Sequence, residues 1–482
     1  MYRGAESTQH LTPSGIEGLD ELVGVGLPRG GLIVLAGNPG TGKTIFSAQF
    51  LYRGAVDYGE RGVYVSFAEG KGQFYRNMKS FGFDFERLEG EGLFSFLDML
   101  TVREAGISAA LELIVNKVAE LGAERLAIDS FSAMAQAFRE PHEARIVMHA
   151  ILSKIVRSMG CTTLLVVEVP YGESRLGLGV EEFVADGIIV LRRGLLDGRL
   201  LRELEVLKMR GTPIPEVQAV FTLKGGFRVF APFKARPIER PSRFRPRPDP
   251  EGYFSTGSRD LDEVLGGGYP RGSLVLIEVD GRVSIPQYQL VMAPTVSNFK
   301  AQGRGVLIVP SMGVDHTIAK RQALEAGFTE DELNSLLRVC VRYFPELRSE
   351  PYVVVLKGES ASEDYEEYAS VAAELRKRTR QPLLHIVEVD TLVDTYGEKE
   401  ALWLMRTGLA VSRMTGDLIM ALLKPGYPRV AEVLGAAADV HLKVTREHGT
   451  LLVYGVKPRT NVYVLKMDTS EGYPMPKLTL IT

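Results

Sequence analysis

Cysteine is nearly missing from this chain: two residues in 482, Cys161 and Cys340, each set in an apolar, strand-like run. That excludes a disulfide framework and predicts two buried thiols. Histidine is scarce as well, with seven residues and no cluster at metal-ligand spacing; His142 with His149, and His441 with His448, are too far apart to share one helix face closely. No apolar run reaches the about eighteen residues that a membrane helix needs, and the start MYRGAESTQH lacks the apolar stretch of a secretion signal. A cytoplasmic protein without membrane insertion is expected. A surplus of charge is also missing. With 57 basic and 60 acidic residues the net charge is −3, which offers no bulk attraction to nucleic acid or an anionic membrane. Scarce asparagine and cysteine with plentiful charge are in keeping with a thermophilic source.

What is present is sharper. The length exceeds a single core and suggests two to four domains. Residues Gly37-Asn38-Pro39-Gly40-Thr41-Gly42-Lys43-Thr44 fit G-x-x-x-x-G-K-[ST] without a mismatch. The apolar run 31–36 before them suits a buried parallel strand, and Ile45 to Tyr58 carries apolar residues at helical spacing up to Gly59. In this strand, loop, helix context Gly37, Gly40 and Gly42 are expected to free the backbone so that successive N–H groups face phosphate oxygens. The helix dipole adds to the attraction, Lys43 reaches the β- and γ-phosphates, and the Thr44 hydroxyl ligates Mg²⁺.

The first 230 residues alternate strand and helix. Strands are predicted at 63–67, 93–97, 125–128, 163–169, 187–191 and 201–208, and helices at 71–81, 105–121 and 143–159, which implies a mostly parallel sheet covered by helices. Glu69, Asp129 and Glu168 then fall with the loop at the carboxyl ends of the strands, where such sheets bind ligands. Phe74, Tyr75, Phe81, Phe83 and Phe85 are expected in the core rather than as a base-stacking platform. Residues 231–250, with six prolines, five arginines and two acids, read as an extended, solvated linker.

Residues 15–35 and 257–277 align without a gap at ten identities in twenty-one positions, so the chain is a tandem duplication. In register, Lys43 faces Ile285, Thr44 faces Pro286, and Gly40 and Gly42 become Arg282 and Ser284. The second copy, 251–482, is therefore expected to keep an α/β fold and lack catalytic nucleotide binding. Residues 385–391 look like the relic of the 126–130 strand, and Lys457 and Arg459 like relics of Lys208 and Arg210.

The strings GIEGLDELVGVGLPRG, GNPGTGKT with IFSAQFLYRG, VYVSFAEG, LAIDS, GVEEFVADGIIVL and LEVLKMRG make residues 15–230 resemble the first ATPase domain of KaiC and the archaeal KaiC-like proteins, within the RecA superfamily. For 251–482 the resemblance is weaker. It implies tandem RecA-like P-loop domains with a degenerate second copy, and a homo-oligomeric ring, usually a hexamer, holding Mg·ATP between neighbouring subunits. It carries nucleotide binding onto Gly37, Asn38, Pro39, Gly40, Thr41, Gly42, Lys43, Thr44 and Ile45. Thr44 and Asp129 take the Mg²⁺ roles, Glu168 and Ser130 lie near the γ-phosphate, and Lys208 and Arg210 reach the adjacent subunit's site. Where the family has two adjacent glutamates this chain has Ala68-Glu69, leaving Glu69 as the catalytic carboxylate.

The resemblance thus implies a slow ATPase that signals by conformational change to a protein partner the sequence does not identify. Two alternatives stand beside it. Ala68 favours a nucleotide-gated regulator or scaffold with negligible turnover, like the archaellum-motor and gas-vesicle regulatory relatives. A DNA-acting recombinase or helicase relative is disfavoured by the weak net charge and the lack of a recognisable DNA-binding module.

Overall fold

The computed structural model describes residues 11–99, 107–135, 146, 149, 151–172, 184–311, 316–342 and 350–482. The chain divides into two compact units, 1–232 with 448–450 and 480–482, and 233–447 with 451–479.

In the first unit, β1 (Leu32–Gly37), α1 (Lys43–Tyr58), β2 (Gly62–Ser66), α2 (Lys71–Lys79), β3 (Phe94–Asp98), α3 (Ile107–Leu121), β4 (Arg125–Asp129), β5 (Thr162–Glu168), β6 (Gly187–Leu196), β7 (Arg199–Met209), β8 (Gln218–Thr222) and β9 (Arg228–Phe230) follow in chain order. They form one sheet in the order β9-β8-β7-β6-β1-β5-β4-β2-β3. The strands β1 to β6 run parallel and β7 returns antiparallel to β6. Both faces of β1 are covered, which is why its sequence is continuously apolar rather than alternating. Ile33 and Leu35 pack with Phe46, Phe50 and Phe74, while Leu32, Val34 and Ala36 pack with Ile114 and Ile155 on the other side.

Most predicted elements match within two residues; the hairpin β8–β9 and the short helix Phe85–Gly90 were not anticipated. Of the helix predicted over 143–159, residues 151–158 wind as a π-helix, and most of 143–150, His142 and residues 105–106 lie outside the described residues, as do 179–183 of the GVEEF string. The aromatic cluster is core: Phe74, Tyr75, Phe83 and Phe85 are buried and Phe81 packs against them. Cys161 and Cys340 are buried free thiols, and burial pushes both up to about 12.

Arg125, the first residue of β4, ties that strand to α1. Its fully buried guanidinium donates from Nε to Glu60 Oε2 (2.6 Å), from Nη1 to Phe50 O (2.8 Å) and from Nη2 to Pro13 O (2.9 Å). Gly54 makes the room, because a Cβ there would stand 2.4 Å from Arg125 Nε. The other ends of these two elements carry Thr44 and Asp129. Glu60→Ala should therefore cost about 3 kcal/mol, since it leaves the guanidinium buried without its counter-charge. A urea midpoint equal to the parent's would disprove that.

The second unit repeats the plan. β10 (Leu274–Val279), α4 (Ile285–Ala301), β11 (Val306–Val309), β12 (Leu337–Arg342), β13 (Val353–Leu356), α5 (Ala361–Thr379), β14 (Leu384–Glu388), α6 (Val389–Tyr396), α7 (Glu398–Thr415), β15 (Leu418–Leu423), α8 (Pro428–Ala437), β16 (Val440–Glu447), β17 (Thr450–Lys457), β18 (Tyr463–Asp468) and β19 (Met475–Leu480) build a sheet in the order β13-β12-β11-β14-β15-β10-β16-β17-β18-β19. That is the order of the first sheet with β13 added at one edge. β10 and α4 begin at the positions the ungapped alignment gives for β1 and α1. Both units are therefore α/β with a mostly parallel sheet and flanking helices.

Residues 233–250 have no helix or strand and are mostly exposed, as expected, but the segment is also anchored. Phe244 is 4% exposed in the second unit's core, its N–H donates to Ala326 O (2.9 Å), and Asp249 pairs with Arg304 (2.6 Å). Proline blocks regular structure along this segment, but one buried aromatic anchors it.

Candidate functional site

The phosphate loop lies at the carboxyl end of β1, between β5 and β6. Gly40 (φ 77°) and Gly42 (φ 101°) take the left-handed conformation that frees their N–H groups to turn inward. Gly37 serves differently from expectation. It is ordinary strand, and glycine is required because a Cβ would meet Leu191 O at 2.6 Å. Thr41 Oγ1 donates to Asn38 O (2.8 Å), Asn38 Nδ2 donates to Val169 O (2.9 Å), and Tyr171 OH donates to Pro39 O (3.0 Å), so side chains hold the loop's shape. No side chain caps the first turn of α1 and none of its residues there is acidic, so the N–H groups and dipole of a sixteen-residue helix stay available to an anion. Ile45 packs against the core.

Lys43 is buried, and its ammonium donates to Gly37 O (2.8 Å) and Asn38 O (3.0 Å). Burial lowers its affinity for the proton, while the charges of Glu168 and Asp129 oppose that effect. Thr44 Oγ1 donates to Asp129 Oδ2 (2.7 Å), and Tyr64 OH donates to the same oxygen (2.6 Å). Tyr64 was missed in the sequence because it sits in an apolar strand and reads as core; it fixes the Asp129 carboxylate from below. Thr44 and Asp129 together offer hard oxygen donors of the kind Mg²⁺ takes, and the inward N–H groups with Lys43 suit a polyphosphate, so the residues fit Mg·ATP.

Glu69 follows β2 in a turn built by Ser66, whose Oγ donates to Glu69 O (2.7 Å) and accepts from Glu69 N (3.0 Å). Partial burial raises the pKa of the Glu69 carboxyl and the Asp129 charge adds to it, while Asn77, donating to Oε2 (3.2 Å), works the other way. Ala68 is exposed beside it. Glu168 ends β5, exposed, with its N–H donating to Ser132 Oγ (2.8 Å). Ser130 is buried, and its Oγ accepts from Ala133 N (3.2 Å), a helix-capping role.

Lys208 and Arg210 are not brought to this group. Leu191, level with Gly37, pairs with Leu204, whereas Lys208 pairs with Ile188, three residues nearer the start of β6. That is about 10 Å along the strand, and Arg210 stands farther still, its N–H donating to Asp186 O and its guanidinium to Asp186 Oδ1 (3.1 Å). Burial and the neighbouring Arg210 lower the Lys208 pKa.

The second unit fills its own equivalent site. Arg282 pairs with Asp280 (3.0 Å) and Glu447 (3.1 Å), and Gln287 Oε1 accepts the Ser284 N–H at the start of α4 (2.8 Å). Glu388, at the position of Asp129, faces Lys424 (3.8 Å), which also reaches Asp390 (3.1 Å). Burial pushes Glu388 up to about 8 against the pull of that ammonium. Lys457 donates to the carbonyls of Gly435 (2.8 Å) and Ala436 (3.1 Å), closing α8. Among the described residues no group of histidines, cysteines and acids is placed to hold a metal, and no helix is long and apolar enough to cross a membrane.

A family model described as the KaiC ATPase matches residues 12–231, and one described as GvpD basic region 2 matches 243–323. The circadian clock oscillator protein KaiC of Thermostichus vulcanus is 30% identical over 360 residues, covering 72% of this chain and 67% of that protein. The circadian clock protein KaiC3 of a Synechocystis species is 30% identical over 358 residues, covering 71% and 68%. Among solved structures, a KaiC-like protein from Pyrococcus horikoshii OT3 is 39% identical over 46% of this chain and 99% of its own, with a TM-score of 0.42.

Proposed function

We propose a function from one premise, that the chain belongs to the KaiC-like ATPases of the RecA superfamily: it binds Mg·ATP at the first copy and hydrolyses it slowly at boundaries between identical subunits of a ring, signalling through the ring's conformation. The observation that carries the reading is the split of the candidate residues between two ends of one sheet. Lys43, Thr44, Asp129 and Glu69 gather at the carboxyl end of β1, and Arg210 stands level with its beginning. Two cations so far from their own loop suit a neighbour's loop better.

Within one subunit the residues divide the work. The loop N–H groups and Lys43 hold the β- and γ-phosphates, Lys43 exchanging its two carbonyl contacts for phosphate oxygens. Thr44 and Asp129 would hold Mg²⁺, which when bound offsets charge on the phosphates. Tyr64 keeps the Asp129 carboxylate turned to Thr44. Glu69, whose raised pKa makes it a readier proton acceptor than an ordinary carboxylate, orients and deprotonates the attacking water. From the adjoining subunit, Lys208 and Arg210 stabilise charge on the γ-phosphate.

A second reading, a nucleotide-gated regulator with negligible turnover, draws on Ala68 at the position of the family's first glutamate. One sample decides between them. Light-scattering mass and phosphate release are measured with and without Mg·ATP for the parent and for Lys43→Ala. The ATPase gives a ring mass and continuous release, both lost in Lys43→Ala. A stoichiometric plateau supports the regulator, and a monomeric parent that still releases phosphate refutes shared sites.

A further inference from the structure

The second unit, which has closed its phosphate site, holds a cavity of about 150 Å³ between α5, α7 and the strands β11, β14 and β15. A space of that size accommodates a benzene-sized molecule. Its wall is mostly apolar, with Leu404, Met405 and Ala372 among the lining side chains, and helix residues that could have filled it are small. At Gly408 a Cβ would meet only Ile419 Cδ1, at 3.8 Å, so the volume above it is open.

One side of the cavity is polar and ordered. Tyr368 OH and His385 Nδ1 lie 2.6 Å apart, His385 Nε2 faces Asp417 Oδ2 at 3.3 Å, and Arg376 Nη2 donates to that same Asp417 oxygen. Asp417 is fully buried and also accepts the Leu383 N–H (2.8 Å). Tyr368 OH and His385 Nδ1 share one hydrogen bond, whichever of them donates. In either case the Tyr368 oxygen keeps a lone pair for another donor. Tyr368 lines the cavity. An apolar chamber offering a spare acceptor matches a guest that can donate one hydrogen bond, and its mostly apolar wall disfavours a charged guest.

We infer that this cavity is a binding site for a small, uncharged apolar molecule carrying one hydroxyl group. Trp403, the chain's single tryptophan, reports on it, because its ring stands 5.8 Å from that of Tyr365, a lining residue. The full-length protein is titrated with benzyl alcohol and with toluene while Trp403 emission is followed. Benzyl alcohol should give a saturable change at millimolar concentration, and toluene should bind about fivefold more weakly, the worth of one hydrogen bond. Gly408→Leu and, independently, Ala369→Leu fill the chamber and should abolish the response, with retained far-ultraviolet circular dichroism and a retained cooperative urea transition followed by Trp403 emission certifying the fold of the second unit. An unsaturable response in the parent, or saturation unchanged in either folded variant, overturns the site. Equal affinity for the two probes overturns the hydroxyl assignment.

Discussion

Alanine at both Lys208 and Arg210 is expected to lower ATP turnover about a thousandfold, the usual worth of cations that meet the transferring phosphoryl group, while ATP affinity changes little. The separation along the sheet makes the test specific. The backbone positions of these residues stand about 10 Å or more along the strand direction from the level of Gly37, toward the opposite end of the sheet from the loop. The decisive form mixes subunits. Glu69→Gln lacks the proton acceptor and the double variant lacks the cations, yet a boundary with the first variant's cations against the second variant's loop is complete. An equal mixture should regain roughly a quarter of the parent rate, half of the loops being intact and half of their neighbours supplying cations. Unchanged hydrolysis in the double variant, or no recovery on mixing, would sink the shared-site mechanism. Arg210 also pairs with Asp186. A merely structural role would therefore appear as a lowered melting temperature in Asp186→Ala and Arg210→Ala alike, without complementation.

Glu69→Gln alone should cut turnover by about 10² to 10⁴, the range for a positioned general base, and leave the ATP dissociation constant near the parent's. Its pH dependence carries a sign. The base must be deprotonated, so kcat/KM rises with pH through the Glu69 pKa, which burial and Asp129 hold above the ordinary carboxylate value. Asn77→Ala removes the opposing hydrogen bond and should shift that limb further up. Stability follows the opposite course. A carboxyl whose pKa is higher folded than unfolded contributes stability at low pH that is lost as pH rises from the ordinary value through the folded one. Glu69→Gln should thus melt slightly above the parent at neutral pH and not at low pH. A limb at the ordinary carboxylate pKa would show that another group is the base.

How far the sequence reached is clearest residue by residue. The loop, its strand and its helix were legible because G-x-x-x-x-G-K-[ST] joins local backbone demands to local chemistry, and the register of the duplication was legible because no gap intervenes. Tyr64 was not, since a tyrosine in an apolar strand looks like core until β2 and β4 are laid side by side and its hydroxyl meets Asp129. Phe244 was hidden by the prolines and arginines around it. The cavity between α5 and α7 has no string at all, being made of what small residues on separate elements leave open.

The amino-acid sequence by itself determined that one half of this duplicated chain keeps a phosphate-binding loop and the other has lost it, because glycine conformations, an ammonium and a hydroxyl act within eight adjacent residues. Only the tertiary structure decided which end of the sheet Lys208 and Arg210 occupy, how Arg282 and Gln287 close the second site, and where a chamber remains. Each of these depends on strand register and on groups far apart in the chain meeting across a few ångströms, and no local pattern encodes that.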